Sequence, residues 1–246
     1  IRHIGAVVVH PGSLGLTDMS VAESTDALGG RNAEALYATM ERGDAVAARA
    51  IIQSMYLNGT SVAQICDGPI RECMARVGQL WLHQEWGIAV EHRATDLCLQ
   101  ALSNLRWMLP QPAHDAPVAL GGACDGDPYI LPSLMAAVVA CECGFRDVNL
   151  GATTPISVLM GASAQYEAKL VWIAVSVAQN PKDLRDQIGR AATILHARGV
   201  PLAVGGRGLN DLGALQALGL MPVASMTEFA AYARGLKAAL VARPPG

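Results

Sequence analysis

The sequence has few aromatic residues, few charges and no long apolar run. Phe, Trp and Tyr make up 4% of its 246 residues, and charged residues make up 16%. The formal net charge is −3, which is the opposite of the basic footprint of nucleic-acid-binding proteins, so we expect no direct contact with nucleic acid. An uninterrupted apolar stretch of about 18 residues is missing, which argues against a membrane span.

Paired cysteine motifs and a signal peptide are also missing. The six cysteines have no C-x-x-C spacing and lie in apolar segments: Cys66, Cys73, Cys98, Cys124, Cys141 and Cys143. The first residues lack a basic segment followed by a long apolar one, so we expect a cytoplasmic chain with reduced thiols. Cys141 and Cys143 have no flanking histidines, and we predict no metal site.

The first half of the chain has helical periodicity. Residues 1–30 are rich in small and polar residues and are predicted to form a leader. From residue 31 to 109, apolar residues recur at steps of three and four, in segments that glycines close. This pattern predicts a four-helix-type bundle.

The second half alternates between short apolar strands and helical segments. A proline-rich break at 110–117 is the predicted linker, and residues 118–246 form the second domain. Its strand segments are VALGGAC, DVNLG, KLVWIAVSV, PLAVGG and MPVAS. Nearly continuous apolar strands separated by helices predict a parallel sheet, so the fold class is a helical bundle followed by a Rossmann-like, doubly wound sheet of five strands.

Four motifs in this order resemble a known family. They are Trp81 followed after nine residues by Glu91-His92, then LGATTP at 150–155, IAVSV at 173–177 and VGGRGL at 204–209. The set is similar to the vitamin B12-binding module of methionine synthase and of light-sensing transcription regulators of the CarH type. The resemblance implies that Trp81, Glu91 and His92 lie over the upper face of a corrin ring. It places Ser176 near the nucleotide tail, and Gly205 and Gly206 where the backbone approaches the ligand.

The loop DGDPYILP, residues 125–132, departs from that family. The family carries an acid, a cobalt-binding histidine and a glycine here; this chain has Asp127, Tyr129 and Pro132 at those positions. A phenol binds a metal well only after losing a proton that it ordinarily keeps at neutral pH, and proline fixes the backbone where the family has glycine. Cobalamin held through a lower histidine is therefore not expected.

A changed ligand is the leading hypothesis. A linear tetrapyrrole of the biliverdin type needs no axial ligand. The resemblance to photocobilin-type receptors of this superfamily implies a light-sensing signalling protein that holds a bilin between the bundle and the sheet. The propionates could pair with Arg93, Arg106 or Arg207. Cys73 and Cys98 are the candidates for a thioether to the chromophore.

Two alternatives remain open. One is a cobalamin-binding sensor without the lower histidine, and the other is a scaffold that binds no chromophore and acts as an antirepressor through protein contacts. No nucleophile–base pair stands out, so we expect no enzyme and no catalytic residue. No helix-turn-helix or basic arm precedes the bundle, and we expect output through a protein partner or self-association.

Overall fold

The computed structural model describes residues 25–83, 86–213 and 220–242, without the side chains of residues 25–29, 81–83 and 221. The chain divides into two compact units, residues 1–108 and 109–246. The predicted leader, up to residue 24, lies outside the described residues, and so do positions 84–85, 214–219 and 243–246.

The first unit is helical. Its helices are α1 (Thr25–Arg42), α2 (Ala45–Leu57), α3 (Val62–Ile65), α4 (Arg71–His83) and α5 (Trp86–Met108). Helix α2 begins where the Asp44 carboxylate accepts the Ala47 N–H, and α3 begins with a reciprocal Ser61–Gln64 capping box. The first helix starts at Thr25, before the predicted boundary at residue 31.

A π-helical turn, Cys66–Ile70, joins α3 to α4 and includes Pro69. Proline has no N–H to donate, so it disturbs the ordinary ladder of helical hydrogen bonds at this point. The sequence pattern predicts one continuous helical segment here, because Cys66 and Ile70 keep the apolar spacing of a helix. In the structure both residues are buried.

The second unit is a five-stranded parallel sheet in the order β2-β1-β3-β4-β5. The strands are β1 (Val118–Ala123), β2 (Arg146–Asn149), β3 (Leu170–Ala174), β4 (Leu202–Gly205) and β5 (Met221–Val223). Between and after them run α6 (Leu131–Glu142), α7 (Ile156–Gln165), α8 (Pro181–Ala197), α9 (Leu209–Leu212) and α10 (Met226–Ala242). The predicted fold class, a helical region followed by a five-stranded Rossmann-like sheet, is confirmed.

The sheet is apolar because both of its faces are covered. Every residue of β1 and of β3 is buried. On one face, apolar residues of the strands pack with α7 and α8, including Leu159 and Ile188. On the other face, Trp172 of β3 contacts Phe229 of α10 edge to face, with ring centroids 6.5 Å apart.

Across the described ranges, no helix is both long enough and apolar enough to span a membrane.

Candidate functional site

The loop after β1 is organised around one buried carboxylate. Asp127 has no solvent-exposed surface. Its Oδ1 accepts the Tyr129 N–H at 3.0 Å, and its Oδ2 accepts the Ser176 N–H at 2.5 Å. Its backbone carbonyl accepts the Thr153 N–H at 3.0 Å. Buried charge is costly unless it is hydrogen-bonded, so these bonds account for the carboxylate at this position.

The bond between Asp127 and Ser176 spans the point where the strand order of the sheet reverses, between β1 and β3. The chain leaves β1 toward β2 on one side and leaves β3 toward β4 on the other, so the crevice between their carboxyl ends is where doubly wound folds bind ligands. Asp127 follows β1 and Ser176 follows β3, and their hydrogen bond ties the two loops together across that crevice. The fold thus brings two of the predicted site residues into contact.

Tyr129 lies beside an arginine from the loop after β4. The Arg207 guanidinium carbon is 5.3 Å from the centroid of the Tyr129 ring, within the range of a cation–π contact. The Arg207 Nε also donates to the Ser176 carbonyl at 3.4 Å. Of the three arginines that the sequence proposes for an anionic ligand, Arg207 is the one placed at this edge of the sheet.

Ser176 holds one unsatisfied polar atom. The residue is 8% exposed, and its Oγ has no hydrogen-bond partner among the described residues. Buried hydroxyls are usually paired, so an orphaned one is a site where a ligand atom or water would be expected. The contact with a ligand that the resemblance implies for Ser176 stays a prediction.

The glycine pair has a reason within the fold itself. Gly206 has φ +123°, and a Cβ atom there would lie 2.2 Å from the Val175 carbonyl oxygen. A Cβ at Gly205 would lie 3.1 Å from the Val223 carbonyl oxygen. Glycine at 206 is therefore required by the backbone of β3 and its following loop, independently of any ligand.

A buried hydrogen-bonded chain supports the turn after β2. Trp172 Nε1 donates to Ser133 Oγ at 3.0 Å, and Ser133 Oγ donates to Asn149 Oδ1 at 2.8 Å. The same Asn149 oxygen accepts the Gly151 N–H at 3.1 Å, which fixes the start of the LGATTP turn. Sequence reasoning missed this chain because its members are far apart in the sequence and none belongs to a recognisable motif.

Two further residues of the site were also missed. Thr153 reaches Asp127 from a backbone with φ 48°, and Gln179 donates its Nε2 to the Gly126 carbonyl at 3.0 Å. Gly126 itself has φ 73° and leaves room for that amide, since a Cβ would lie 2.9 Å from the Gln179 Cδ. The Asp-Gly pair at 125–126 is the signal that could have indicated a turn closed by a neighbouring side chain.

In the first unit, Glu91 and His92 form a polar patch on α5. Glu91 Oε1 accepts from Thr95 Oγ1 at 3.2 Å, and Glu91 Oε2 lies 3.7 Å from His92 Nε2. The His92 side chain is 77% exposed. Ile88, one turn earlier on the same face, is partly exposed, so the patch joins an apolar surface to a polar one. Trp81 lies on α4, and its side chain is not among those described.

Arg93 and Arg106 of the same helix have other contacts. Arg93 Nη2 donates to the Gly43 carbonyl at 2.9 Å, and the Arg106 guanidinium carbon lies 5.6 Å from the centroid of the Trp107 ring. Trp86, which the sequence analysis did not single out, opens α5 with its side chain 72% exposed.

Cys73 and Cys98 lie inside the helical unit rather than on a ligand-facing surface. Both are free thiols with no exposed surface, and the Cys98 Sγ is 3.9 Å from the Met74 Sδ. Burial raises the pKa of Cys73 to about 11, and burial also raises the pKa of Cys98. The thiolate is the nucleophile, so neither residue is poised for attack on a vinyl group. The residues described contain no cluster of three or more metal-binding side chains.

We therefore expect both thiols to resist alkylation in the native protein. At pH 8 only about one Cys73 side chain in a thousand would be ionised. Because the pKa of Cys73 is higher in the folded protein than in the unfolded chain, the unfolded thiol ionises first. The free energy of unfolding therefore falls as the pH rises from about 9 toward 11. Iodoacetamide treatment followed by peptide mass analysis, with and without denaturant, measures the alkylation of both cysteines. Rapid native labelling of either residue would contradict the assignment.

Comparison with known proteins points to B12-binding proteins. Residues 33–106 match the family model of the B12 binding domain, which is less than half of the chain. This segment includes Glu91 and His92 and corresponds to the helical unit. No curated protein sequence matches the chain.

Solved structures share the fold. The monomethylamine corrinoid protein of Methanosarcina barkeri aligns over 85% of this chain and 99% of its own, with a TM-score of 0.64 and 16% identity. That identity establishes a common fold and nothing more. The methanol:cobalamin methyltransferase complex MtaBC of Methanosarcina barkeri (TM-score 0.45, 13% identity, 96% of this chain and 92% of that one) is more distant. So is a cobalamin-binding protein of Desulfitobacterium hafniense DCB-2 (TM-score 0.39, 16% identity, 85% and 97%). Over residues 33–106 the chain is thus similar to the B12 binding domain, and it shares the fold of the monomethylamine corrinoid protein.

The strand-end residues do not fit a cobalt centre that the loop itself would ligate through nitrogen. The segment from Cys124 to Pro132 contains no side-chain nitrogen. Both Asp127 oxygens are engaged by backbone N–H groups, and Tyr129 lies against a guanidinium. The Ser176 hydroxyl, by contrast, is an orphaned donor that a ligand could satisfy.

Proposed function

We propose that this protein binds a corrinoid, the cofactor class that includes cobalamin, without coordinating the cobalt through a histidine of the β1 loop. The observation that carries the proposal is the match of residues 33–106 to the B12 binding domain. Glu91 and His92 lie in that segment, with His92 exposed on α5 and held near a carboxylate. The corrinoid-protein fold of the chain supports the same conclusion.

The chain's own residues would act as binding and positioning groups. Ile88 and His92 offer an apolar and a polar contact on one helical face. In the loop after β1, the Tyr129 ring and the exposed Ile130 side chain offer apolar contacts, and Arg207 offers a positive charge for an anionic group of the ligand. When bound, a corrinoid would supply the cobalt chemistry, and each set of residues would orient the part of the ligand that reaches its own unit.

A light-sensing role with a bilin chromophore finds no comparable support. The match to the B12 binding domain and the corrinoid-protein fold both favour cobalamin, and the two candidate thioether cysteines are buried with raised pKa values. Biliverdin is therefore kept as the competing ligand in the experiment below.

The experiment compares the two ligands directly. Purified protein is incubated with hydroxocobalamin or with biliverdin, passed through a gel-filtration column and examined by absorption spectroscopy. We expect cobalamin to elute with the protein and biliverdin to be removed. A red-absorbing biliverdin complex without cobalamin binding would overturn the proposal in favour of a bilin, and a colourless protein in both cases would favour the scaffold alternative.

His92→Ala tests the helical contact. We expect it to weaken cobalamin binding and to shift the spectrum of the complex, because the exposed imidazole is the polar group of the Ile88–His92 face. Ser103→Ala, at an exposed position three turns later on α5, is the matched control and should leave the affinity unchanged. Equal affinities for the two variants would place the ligand elsewhere.

A further inference from the structure

We propose that the bound corrinoid keeps its own base as the lower ligand of cobalt. This inference rests on the proposed function and concerns the side of the cobalt that faces the sheet edge. Cobalamin carries a nucleotide tail ending in a benzimidazole, which binds its own cobalt in free solution. A protein side chain that binds the cobalt can take the place of that base, and the strand-end loops of this chain contain no histidine to do so.

Among the described residues, the loops that follow the five strands contain no histidine. Residues 124–132 and 150–155 contain no side-chain nitrogen at all. The loop after β3 has the amides of Gln179 and Asn180, and the loop after β4 has the guanidinium of Arg207. Amide nitrogens and a permanently protonated guanidinium donate hydrogen bonds and have no lone pair for a metal.

The two histidines of the second unit lie at the opposite edge of the sheet. His114 precedes β1, and its carbonyl accepts from Arg146 Nη1 at the start of β2. His196 lies in the last turn of α8, just before the chain enters β4. Both are thus at the amino ends of strands, and the length of a strand of five or six residues, about 17–20 Å, separates them from the crevice.

Asp127 and Cys124 at the carboxyl edge are engaged or protonated and do not serve as ligands of cobalt. The Asp127 oxygens are bonded to two backbone N–H groups, and moving them would leave those donors unpaired in a buried place. Cys124 is fully buried, and burial together with the nearby Asp127 raises its pKa to about 12. Neither group is available to compete with a nitrogen base.

Tyr129 offers a phenol that would have to compete with a tethered base. Its ring lies against Arg207, whose Nε is hydrogen-bonded to the Ser176 carbonyl, so the ring is held by a contact of its own. The benzimidazole is covalently linked to the corrin, which gives it a high effective concentration at cobalt. The tethered nitrogen therefore outcompetes a phenol that is already packed against a cation.

The test uses electron paramagnetic resonance of two reduced corrinoids bound to the full chain. Cob(II)alamin has its own base, and cob(II)inamide lacks it. A nitrogen below cobalt splits each cobalt line into three. We expect the cob(II)alamin complex to retain this splitting and the cob(II)inamide complex to show none.

Variants check that the method detects a protein nitrogen. Tyr129→His, alone and with Pro132→Gly, should introduce nitrogen splitting into the cob(II)inamide complex, and ¹⁵N-histidine labelling should turn its three lines into two. Tyr166→His is the matched control, because this exposed tyrosine lies at the end of α7, where the chain turns into the amino end of β3. It should leave both spectra as in the unmodified protein.

The outcomes separate the inference from the proposed function. Nitrogen splitting in the unmodified cob(II)inamide complex, or its loss from the cob(II)alamin complex, would overturn the inference while leaving corrinoid binding intact. Failure of both corrinoids to elute with the protein would overturn the proposed function, and the inference with it.

Discussion

Asp127→Ala is expected to lower the free energy of unfolding of the second unit by about 3 kcal/mol. The substitution leaves the N–H groups of Tyr129 and Ser176 without an acceptor, and an unpaired buried donor costs about 1–3 kcal/mol. It also opens the hydrogen-bonded connection between the loops after β1 and β3. Faster hydrogen exchange in peptides covering 124–132 and 175–180, measured by mass spectrometry, should accompany the loss.

The adjacent exposed carboxylate provides the control. Asp125→Ala removes the same charge from the same loop but lies in solvent, so its effect should stay within about 0.5 kcal/mol. Urea unfolding followed by circular dichroism measures both variants. Equal losses for the two substitutions would show that the general charge of the loop matters and that the buried bonds do not.

Gly206→Ala should be at least as damaging. Its φ of +123° is one that side-chain-bearing residues rarely adopt, and a strained conformation of this kind costs about 1–3 kcal/mol. The added Cβ would also meet the Val175 carbonyl oxygen at 2.2 Å, and because this neighbour is backbone it cannot rotate away. We expect a lower thermal midpoint or a protein that does not accumulate in folded form.

Gly161→Ala is the matched control for this substitution. Gly161 lies within α7, and a Cβ there would have no atom within 4 Å. Alanine is favoured over glycine in helices by up to about 1 kcal/mol, so this variant should be unchanged or more stable. A Gly206→Ala protein with the thermal midpoint of the unmodified chain would show that the loop after β4 can move away from β3.

The sequence predicts the sheet well because its signals are local. In a parallel sheet covered on both faces, each strand is a short apolar run, and residues 118–124 and 169–177 have that character. The π-helical turn at Cys66–Ile70 escapes prediction because its side chains keep helical spacing while its backbone does not. Periodicity reports which side chains are buried and says little about which hydrogen bonds the backbone forms.

The candidate site is predictable only in part because its contacts are long-range. Asp127 is found by its place in a loop after a strand, but its acceptance of the Ser176 N–H, 49 positions later, depends on β1 and β3 being neighbours. Arg207 is one of three candidate arginines in the sequence, and only the fold places it beside Tyr129. From the sequence, Gly206 is expected to leave space for a ligand. The structure shows that the backbone itself requires glycine there, because a Cβ atom would clash with the Val175 carbonyl oxygen.

The indole of Trp172 gives this protein a natural spectroscopic probe. The other three tryptophans, Trp81, Trp86 and Trp107, belong to the helical unit, so Trp172 alone represents the second unit. Its N–H is the first donor of the chain that runs through Ser133 to Asn149 and the following turn. The nuclear magnetic resonance signal of that single proton should therefore report, in the unmodified protein, any rearrangement of the turn when a ligand reaches the sheet edge.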